Sequence, residues 1–379
     1  MTHPRILVLS ASAGTGHTRA AEALRSYASA EQSSIEATHL DALQFVTPWL
    51  RFVYTDAYIF LVRHAPALWR YIYRTTNLAR HEGFGHRIRR WAERMSSRSL
   101  LAEIARQKPD LIICTHFFPA ELLSRLLAAG DADYPVWVQV TDFDLHRMWV
   151  HNHMAGYFAP NDEVAFRMRE QGIAADRIFV TGIPIMPAFA EPLDRSTCAR
   201  ELGISPDRAT VLLLGGGAGF GFGSVREIAE CLLELKENFH IIALAGKDKA
   251  MLAELHQLAI EYPDRLVAQG YTRQIERLMA CADLVVTKPG GLTAAESLAM
   301  GLPMIVIAPI PGQEEHNANF LLERGVALKA FDMATLKYRV GYLLSHDARL
   351  AAMRAKASSL ARPDAAHRVL AIALQRATQ

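Results

Sequence analysis

Two glycine-rich loops, far apart in the chain, constrain the fold of this sequence most strongly. The first is AGTGH, which ends at His17, and the second is GGGAGFGFG, from Gly215 to Gly223. Each follows a short apolar run, ILVLSA from Ile6 and TVLLL from Thr210, and leads into helix-compatible sequence. Glycine permits backbone conformations closed to other residues, and N–H groups at a helix start bind phosphate. The chain is therefore predicted to contain two nucleotide-binding halves and to use a phosphate-bearing substrate.

Short apolar runs alternate with helical patterns in both halves, which predicts an α/β fold with βαβ units around parallel sheets. The runs are ILVLS, LIICTH, VWVQV and IFVTG in the first half, and TVLLL, IIALAG, RLVAQG, DLVVTK and MIVIAP in the second. Pro184, Pro187 and Pro192 predict a linker at about residues 185–200. The predicted segments are an N-terminal domain, a C-terminal domain and a terminal helix, at residues 1–188, 200–362 and 363–379. The terminal helix is expected to pack back on the N-terminal domain.

Composition narrows the class of protein. The 379 residues suffice for two domains, and a net charge of +2 argues against a general nucleic-acid binder. The four cysteines lie far apart without a CxxC pair, so neither a zinc site nor a disulfide framework is expected. The N-terminus lacks the pattern of a secretory signal, and no apolar stretch reaches the roughly 20 residues of a membrane-spanning helix. A cytoplasmic protein is predicted.

The spacing of the second glycine loop argues against two common nucleotide sites. No register of the loop gives G-x-G-x-x-G, and the Gly246-Lys247 pair lacks the rest of a P-loop. Dinucleotide and ATP binding are therefore disfavoured. A flexible glycine hinge is the alternative to a phosphate-binding loop.

The segment TKPGGLTAAESLAMGLP, from Thr287 to Pro303, carries the most specific pattern. Gly290 and Gly291 are predicted to form a turn after a strand, and Thr293 is predicted to cap a helix whose N-terminal end faces a diphosphate. Glu296 can accept hydrogen bonds from a ribose, or it can simply stabilise the helix dipole.

The next segment, PIPGQEEHNANFL from Pro309, places amides and a carboxylate at a loop and helix start. Gln313, Glu314 and Asn317 match the hydroxyls of a sugar, although capping roles would use the same residue types.

Six motifs together resemble glycosyltransferase family 28. In chain order they are SASAGTGH, TDFDLHRMW, IFVTGIPIMPAF, LLLGGGAGFG, TKPGGLTAAESLA and PIPGQEEHNANF. The similarity is greatest to the monogalactosyldiacylglycerol synthases and bacterial diacylglycerol glucosyltransferases. It implies a GT-B fold, with two facing Rossmann-like domains and an interdomain cleft, and inverting transfer of a hexose from a UDP-sugar to the hydroxyl of diacylglycerol.

Three alternatives stay open beside this function. The first is transfer of N-acetylglucosamine from its UDP derivative to a lipid-linked peptidoglycan precursor. The second is a UDP- or lipid-binding protein without catalysis, and the third is an NAD-dependent enzyme.

The resemblance also implies where the donor binds, in the C-terminal domain. The implied contacts are Gly216, Gly217, Gly290, Gly291, Thr293 and Glu296 to diphosphate and ribose, Gln313, Glu314 and Asn317 to the hexose, and Tyr271 beside the uracil. A helix N-terminus can stabilise the departing UDP, so neither a cofactor nor a metal is expected to be needed.

An inverting transfer needs a base, and three residues of the N-terminal half are candidates. His17 follows the first glycine loop, although a lone histidine also suits capping or packing. Asp142 lies just past VWVQVT, at the sheet edge where α/β folds bind ligands, and His146 is the third candidate. The Asp142-Phe143-Asp144 triplet resembles a metal-binding DxD motif, but the donor loops lie in the other half.

The stretch after the first unit of the sheet is rich in aromatic and basic residues. Nine aromatic residues lie from Phe45 to Tyr73. The stretch from Phe45 to Ser99 contains ten arginines and only three acidic residues. This composition is typical of a surface that docks on anionic lipid, although core or dimer contacts would use the same aromatics. The residues predicted to bind the acceptor or the membrane are Trp49, Phe52, Tyr58, Trp69 and Trp149. The protein is thus expected to associate peripherally with the inner face of the cell membrane.

Overall fold

Two parallel sheets organise the chain. The computed structural model describes residues 4–31, 35–78, 97–215 and 222–377. These residues fold into two units, each with a six-stranded sheet. The first unit comprises Met1–Pro187, Pro311–Gln313 and Arg362–Gln379, and the second comprises Ala188–Ile310 and Glu314–Ala361. The predicted α/β class is confirmed.

In the first unit the strands are all parallel to their neighbours. They are β1 (Arg5–Ser10), β2 (Glu36–Asp41), β3 (Leu111–Cys114), β4 (Val136–Gln139), β5 (Gly156–Ala159) and β6 (Ile178–Val180). Their order in the sheet is β2-β1-β3-β4-β5-β6. The direction of winding reverses between β1 and β3, and such a switch point is where open α/β sheets bind ligands.

The helices of the first unit begin with the one that follows the first glycine loop. They are α1 (Thr15–Glu31), α2 (Pro48–Phe52), α3 (Tyr58–His64), α4 (Pro66–Leu78), α5 (Arg98–Gln107), α6 (Phe117–Ala129) and α7 (Asp162–Glu170). A π-helical turn, Val53–Ala57, joins α2 to α3. Short 3-10 helices occur at Ala42–Gln44, Arg147–Trp149, Ala175–Arg177 and Pro187–Phe189.

Both faces of the first sheet are buried, which explains the continuous apolar runs of its central strands. Ile112 and Val138 pack on one face with Phe118 of α6, while Val8 and Ile113 pack on the other. The edge strand β2, EATHLD, and the four-residue β5 were not predicted from the sequence. β2 carries polar residues and is only partly buried, so it lacks the apolar run by which its neighbours are recognised.

The second unit repeats the parallel arrangement. Its strands are β7 (Ala209–Leu214), β8 (Phe239–Gly246), β9 (Leu266–Gly270), β10 (Leu284–Thr287), β11 (Met304–Ile307) and β12 (Ala327–Ala330). Their order is β12-β11-β10-β7-β8-β9, which is the Rossmann order with its switch point between β7 and β10. The edge strand β12 was not predicted.

The helices of the second unit include one that begins before its first strand, in the region of the predicted linker. They are α8 (Arg195–Glu201), α9 (Val225–Leu233), α10 (Lys249–Glu261), α11 (Ile275–Cys281), α12 (Gly291–Ala299), α13 (Gln313–Glu323), α14 (Met333–Leu344) and α15 (Asp347–Leu360). The expectation of a linker up to residue 200 is wrong in part, because α8 lies within it. Asp194 caps this helix through the Thr197 N–H, and Cys198 and Ala199 are buried.

The last helix, α16 (Ala365–Ala377), belongs to the first unit. Its Val369 and Leu370 join Val8 and Leu24 in one apolar cluster, so the helix packs on β1 and α1. It begins at Ala365 rather than at Pro363, whose carbonyl instead accepts a hydrogen bond of 3.3 Å from Tyr27.

Candidate active site

A cavity of about 330 Å³ lies in the first unit, among residues that follow β1, β3 and β4. Aliphatic and aromatic side chains from the π-helical turn, α3 and α4 form much of its wall. The polar side chains that line it include His17, Tyr73, Thr76, His116, Asp142, His146 and Gln313, whose amide donates to the Tyr58 hydroxyl at 3.3 Å. The three residues predicted as candidate bases thus line one cavity.

His17, the third residue of α1, is held in a defined orientation. Its Nδ1 lies 3.0 Å from the Thr115 carbonyl oxygen and 2.8 Å from the Thr141 hydroxyl. A carbonyl oxygen can only accept, so Nδ1 carries the proton and Nε2 keeps a lone pair. The Thr115 hydroxyl also donates to the His17 carbonyl at 2.9 Å, which ties the first turn of α1 to the end of β3. Among the described residues Nε2 has no hydrogen-bond partner.

The protonation of His17 is set by opposing effects. Burial lowers its pKa below the ordinary value, while the Asp142 carboxylate and the hydrogen bond to Thr115 raise it. Burial is the largest of these effects, so the ring is neutral at physiological pH. A neutral imidazole with an available Nε2 is a competent proton acceptor.

The two aspartates of the DFD triplet have different environments. Asp142 lines the cavity and is close enough to His17 to act on its pKa. Asp144 is buried and forms an ion pair with Arg167 of α7. Only the first aspartate of the pair therefore faces the cavity.

His146 has both ring nitrogens engaged. Its Nδ1 accepts from the Met148 N–H at 3.2 Å and so caps the short helix Arg147–Trp149. Nε2 then carries the proton and lies 3.0 Å from the Tyr73 carbonyl oxygen. This arrangement leaves no lone pair for a substrate, and we expect His146 to position Tyr73 rather than to act as the base.

The predicted acceptor and membrane residues divide into two sets. Tyr58, Trp69 and Trp149 line the cavity, and Trp149 packs on His17 with ring centroids 6.1 Å apart. Trp49 and Phe52 do not line it and are 61% and 54% exposed. One segment thus contributes both to the cavity wall and to the outer surface.

Most of the predicted donor residues lie at one edge of the second sheet. Gly290 and Gly291 follow β10, Glu314 is the second residue of the helix after β11, and Tyr271 follows β9. Because all six strands are parallel, the loops at their carboxyl ends meet at the same edge. Gly216 and Gly217, in the loop after β7, lie outside the described residues.

The helix after β10 starts without a side-chain cap. Gly290 is the N-cap residue, and Thr293 is the third residue of α12, so the expectation that Thr293 caps the helix is wrong. Neither the φ of −64° nor the surroundings require glycine at the cap position, since the nearest atom to an added Cβ would be Glu314 Oε1 at 3.9 Å. Glu296, in the second turn, is buried.

The remaining donor candidates lie on α13 and just after β9. Glu314 accepts from the Ile310 N–H at 2.7 Å, Gln313 is the first residue of α13, and Asn317 is buried in its second turn. Tyr271 is 57% exposed, and Lys247 Nζ lies 5.2 Å above its ring. The structure brings Gly290 and Glu314 together and leaves the ring of Tyr271 open to a planar ligand.

Two family models match consecutive parts of the chain. Residues 17–185 match the monogalactosyldiacylglycerol (MGDG) synthase family, and residues 210–369 match the glycosyltransferase family 28 C-terminal domain. The chain is a UDP-sugar glycosyltransferase, similar to family 28 in its C-terminal part. The first match begins at His17 and includes every residue that lines the cavity except Ala13, Gly14 and Gln313.

The enzyme is similar to two Bacillus proteins over nearly their whole length. It is 28% identical to the processive diacylglycerol beta-glucosyltransferase of Bacillus licheniformis, over 95% of this chain and 91% of the relative. It is 29% identical to the enzyme of the same name from Bacillus pumilus, with the same coverage.

Solved structures identify the fold of the enzyme as GT-B. MurG of Acinetobacter baumannii superposes with a TM-score of 0.60 at 15% identity, over 98% of this chain and 99% of that one. The UDP-GlcNAc 2-epimerase of Neisseria meningitidis superposes with a TM-score of 0.61 at 12% identity, over 98% and 100%.

Sequence reasoning missed several polar residues of the enzyme's cavity, among them His116. This residue is buried, follows β3 directly, and its Nδ1 accepts from the Phe118 N–H at 3.0 Å as the N-cap of α6. The apolar run LIICTH, from Leu111 to His116, does predict that His116 follows a strand. That the strand lies next to β1, and so places His116 beside His17, depends on the sheet order.

Proposed function

We propose that the enzyme transfers a hexose from a UDP-sugar to the hydroxyl of diacylglycerol, with inversion at the anomeric carbon. The observation that carries this proposal is the cavity of the first unit, in which a neutral, oriented His17 lies within a largely apolar wall. Such a wall suits an acceptor with acyl chains, and the Bacillus relatives are named for diacylglycerol and glucose.

In the proposed step, the acceptor oxygen attacks the anomeric carbon while His17 Nε2 takes the hydroxyl proton. The new carbon–oxygen bond forms as the bond to the UDP oxygen breaks on the opposite face, so one displacement inverts the configuration. The Asp142 carboxylate stabilises the imidazolium that results, because it raises the pKa of His17. General-base catalysis of this kind contributes about 10²- to 10⁴-fold in rate.

We assign the stabilisation of the negative charge on the departing UDP to residues of the second unit. The first N–H groups of α12 have no intrahelical partner, and Gly290 offers no side-chain cap, so they are free to bind a diphosphate. Glu296 is proposed for the ribose, Tyr271 for the uracil, and Gln313, Glu314 and Asn317 for the hexose. We propose that the transfer needs no metal ion.

We further propose that the enzyme works at the inner face of the cell membrane, as a peripheral cytoplasmic protein. No described helix has the length and apolarity needed to cross a bilayer. Between Trp49 and Tyr71, large apolar side chains are exposed on the segment that also walls the cavity. They are Trp49, Phe52, Val53, Ile59, Phe60, Leu68 and Tyr71. A lipid could thus pass from the bilayer into the cavity along one segment.

The test follows radiolabel from three donors into lipid. Purified protein is incubated with UDP-glucose, UDP-galactose or UDP-N-acetylglucosamine and with vesicles that contain diacylglycerol, with and without a chelator. We expect label in a glycolipid from a UDP-hexose, a β-linkage by NMR, and no effect of the chelator. Absence of any lipid product would overturn the proposal, and reversible inhibition by the chelator would overturn its metal-free form.

A variant separates catalysis from binding alone. His17→Gln should lower turnover by about 10²- to 10⁴-fold and leave UDP affinity unchanged, because the nucleotide is assigned to the other unit. A protein that only bound UDP or lipid would show no turnover to lose. Preferred use of UDP-N-acetylglucosamine with a lipid-linked peptidoglycan precursor would favour the alternative transferase.

A further inference from the structure

His116 and His17 form a pair of buried imidazoles with opposite hydrogen-bonding capacity. Their ring centroids are 4.6 Å apart and their planes are perpendicular, at 89°. The two rings follow β3 and β1, the adjacent strands at the switch point of the first sheet. Both line the cavity, so one ligand can contact both.

The proton of His116 is on the nitrogen opposite to that of His17. The Phe118 N–H donates to His116 Nδ1 at 3.0 Å, so Nδ1 has no proton and Nε2–H is the donor of the neutral ring. The ring stays neutral because burial lowers its pKa well below the ordinary value, and His17 lowers it further. His116 is 2% exposed, and Nε2–H has no acceptor among the described residues.

A donor that faces a largely apolar cavity without a protein partner can be satisfied by a ligand that supplies an acceptor. The hydroxyl oxygen of the acceptor is a poor match, because a donated hydrogen bond would weaken it as a nucleophile. An ester carbonyl oxygen is a pure acceptor, and in diacylglycerol one lies only a few bonds from the free hydroxyl. We infer that His116 Nε2–H binds an ester carbonyl of the acceptor while His17 Nε2 binds its hydroxyl.

This inference rests on the proposed function and adds a basis for acceptor choice. His116 is a substrate-binding residue that selects acyl esters over ether lipids. A glyceride held at both points presents its hydroxyl to His17 in one orientation.

The experiment compares two acceptors on the full-length protein. Diacylglycerol and the matching dialkylglycerol, in which ethers replace both esters, are offered at equal mole fraction in detergent micelles with UDP-glucose. The wild type should use diacylglycerol with a kcat/KM about three- to tenfold higher, the range expected for one neutral hydrogen bond.

The variant His116→Asn tests the residue itself. Asn is among the best N-cap residues, so its Oδ1 can replace Nδ1 as the acceptor of the Phe118 N–H, while no atom replaces Nε2. The ratio of the two kcat/KM values should fall to about one. The matched control is His151→Asn, a second histidine of the first unit that does not line the cavity, and its ratio should stay as in the wild type.

Each outcome has one meaning. Equal use of the two lipids by the wild type, or an unchanged ratio in His116→Asn, overturns the inference while the proposed function stands. Transfer to neither lipid overturns the proposed function, and the inference falls with it. The wild-type comparison needs no substitution, so loss of folding in the variant does not remove the test.

Discussion

Asp142 and His17 compete for the role of base, and their electrostatic coupling gives a way to distinguish them. The Asp142 carboxylate raises the pKa of His17, against the larger lowering by burial. In Asp142→Asn that carboxylate is gone, so the pKa of His17 falls and the neutral ring persists to lower pH. The acid limb of the pH profile of kcat/KM should therefore move to lower pH in this variant. The plateau should fall on the order of tenfold, because the imidazolium loses its counter-charge.

The opposite assignment predicts a different result. If Asp142 were the base, Asp142→Asn would lose about 10²- to 10⁴-fold and His17→Gln would be the milder change. The measurement is the pH dependence of kcat/KM for both variants with one UDP-hexose. If the acid limb of the kcat/KM profile lay at the same pH in Asp142→Asn as in the wild type, the result would contradict the role given to His17.

The candidate bases could be predicted from the sequence, but their roles could not. His17, Asp142 and His146 each follow a strand or loop, and position alone treats them alike. Their distinction comes from hydrogen bonds to remote residues: Thr115 holds the His17 proton on Nδ1, and Tyr73 occupies His146 Nε2. Such partners are about 70 to 100 residues away in the chain, and no local pattern specifies them.

At the scale of elements, the start of α12 offers a test of diphosphate binding. Gly290 has φ −64° and ψ 144°, which any residue can adopt, and the atom nearest to an added Cβ is Glu314 Oε1 at 3.9 Å. Gly290→Ala should therefore change the free energy of unfolding by less than about 1 kcal/mol. If the diphosphate contacts these N–H groups closely, the methyl group should displace it. UDP affinity should then fall by about ten- to hundredfold, the range for a charge-assisted hydrogen bond.

Calorimetric titration with UDP, together with the melting temperature of the variant, checks this prediction. Unchanged affinity in a folded Gly290→Ala protein would place the diphosphate elsewhere. A large drop in melting temperature would instead indicate that the glycine serves the turn.

The elements that could be predicted are those with buried, apolar strands. β1, β3, β7 and β10 read as continuous apolar runs because helices cover both faces of a parallel sheet. β2 and β12 lie at sheet edges with polar or partly exposed residues, so their pattern is weak. Thr293 was misplaced because Gly290 and Thr293 both suit a helix start, and spacing alone does not say where the helix begins.

At the scale of the whole molecule, the sequence predicted a lipid-docking segment. It did not predict which of its aromatic residues line the cavity and which are exposed. The aromatic run from Phe45 to Tyr73 has one continuous composition. In the structure Tyr58 and Trp69 turn to the cavity, while Trp49 and Phe52 are exposed. The division arises because partly buried and exposed residues alternate along α2, the π-helical turn, α3 and α4, and aromatic content does not predict this alternation.

The arginines of this segment should determine its preference for anionic lipid. Arg51 and Arg74 are exposed and make no ion pair within the part of the chain that the structure describes. A basic residue near an anionic surface contributes about 1 kcal/mol, so Arg51→Gln combined with Arg74→Gln should weaken partition onto phosphatidylglycerol vesicles by roughly 30-fold. Partition onto phosphatidylcholine vesicles should change little. Co-sedimentation with each vesicle type at low and high salt measures both.

The second unit offers a matched control of equal charge. Arg200 and Arg349 are exposed there, and the double change Arg200→Gln and Arg349→Gln removes the same two charges from the molecule. If net charge alone drew the enzyme to the membrane, both double variants would lose vesicle binding alike. Loss confined to Arg51 and Arg74 locates the docking surface on the segment that walls the cavity, and equal loss in both variants contradicts it. Salt should reduce the difference between the variants, because exposed charges more than about 10 Å apart are screened at 0.1 M ionic strength.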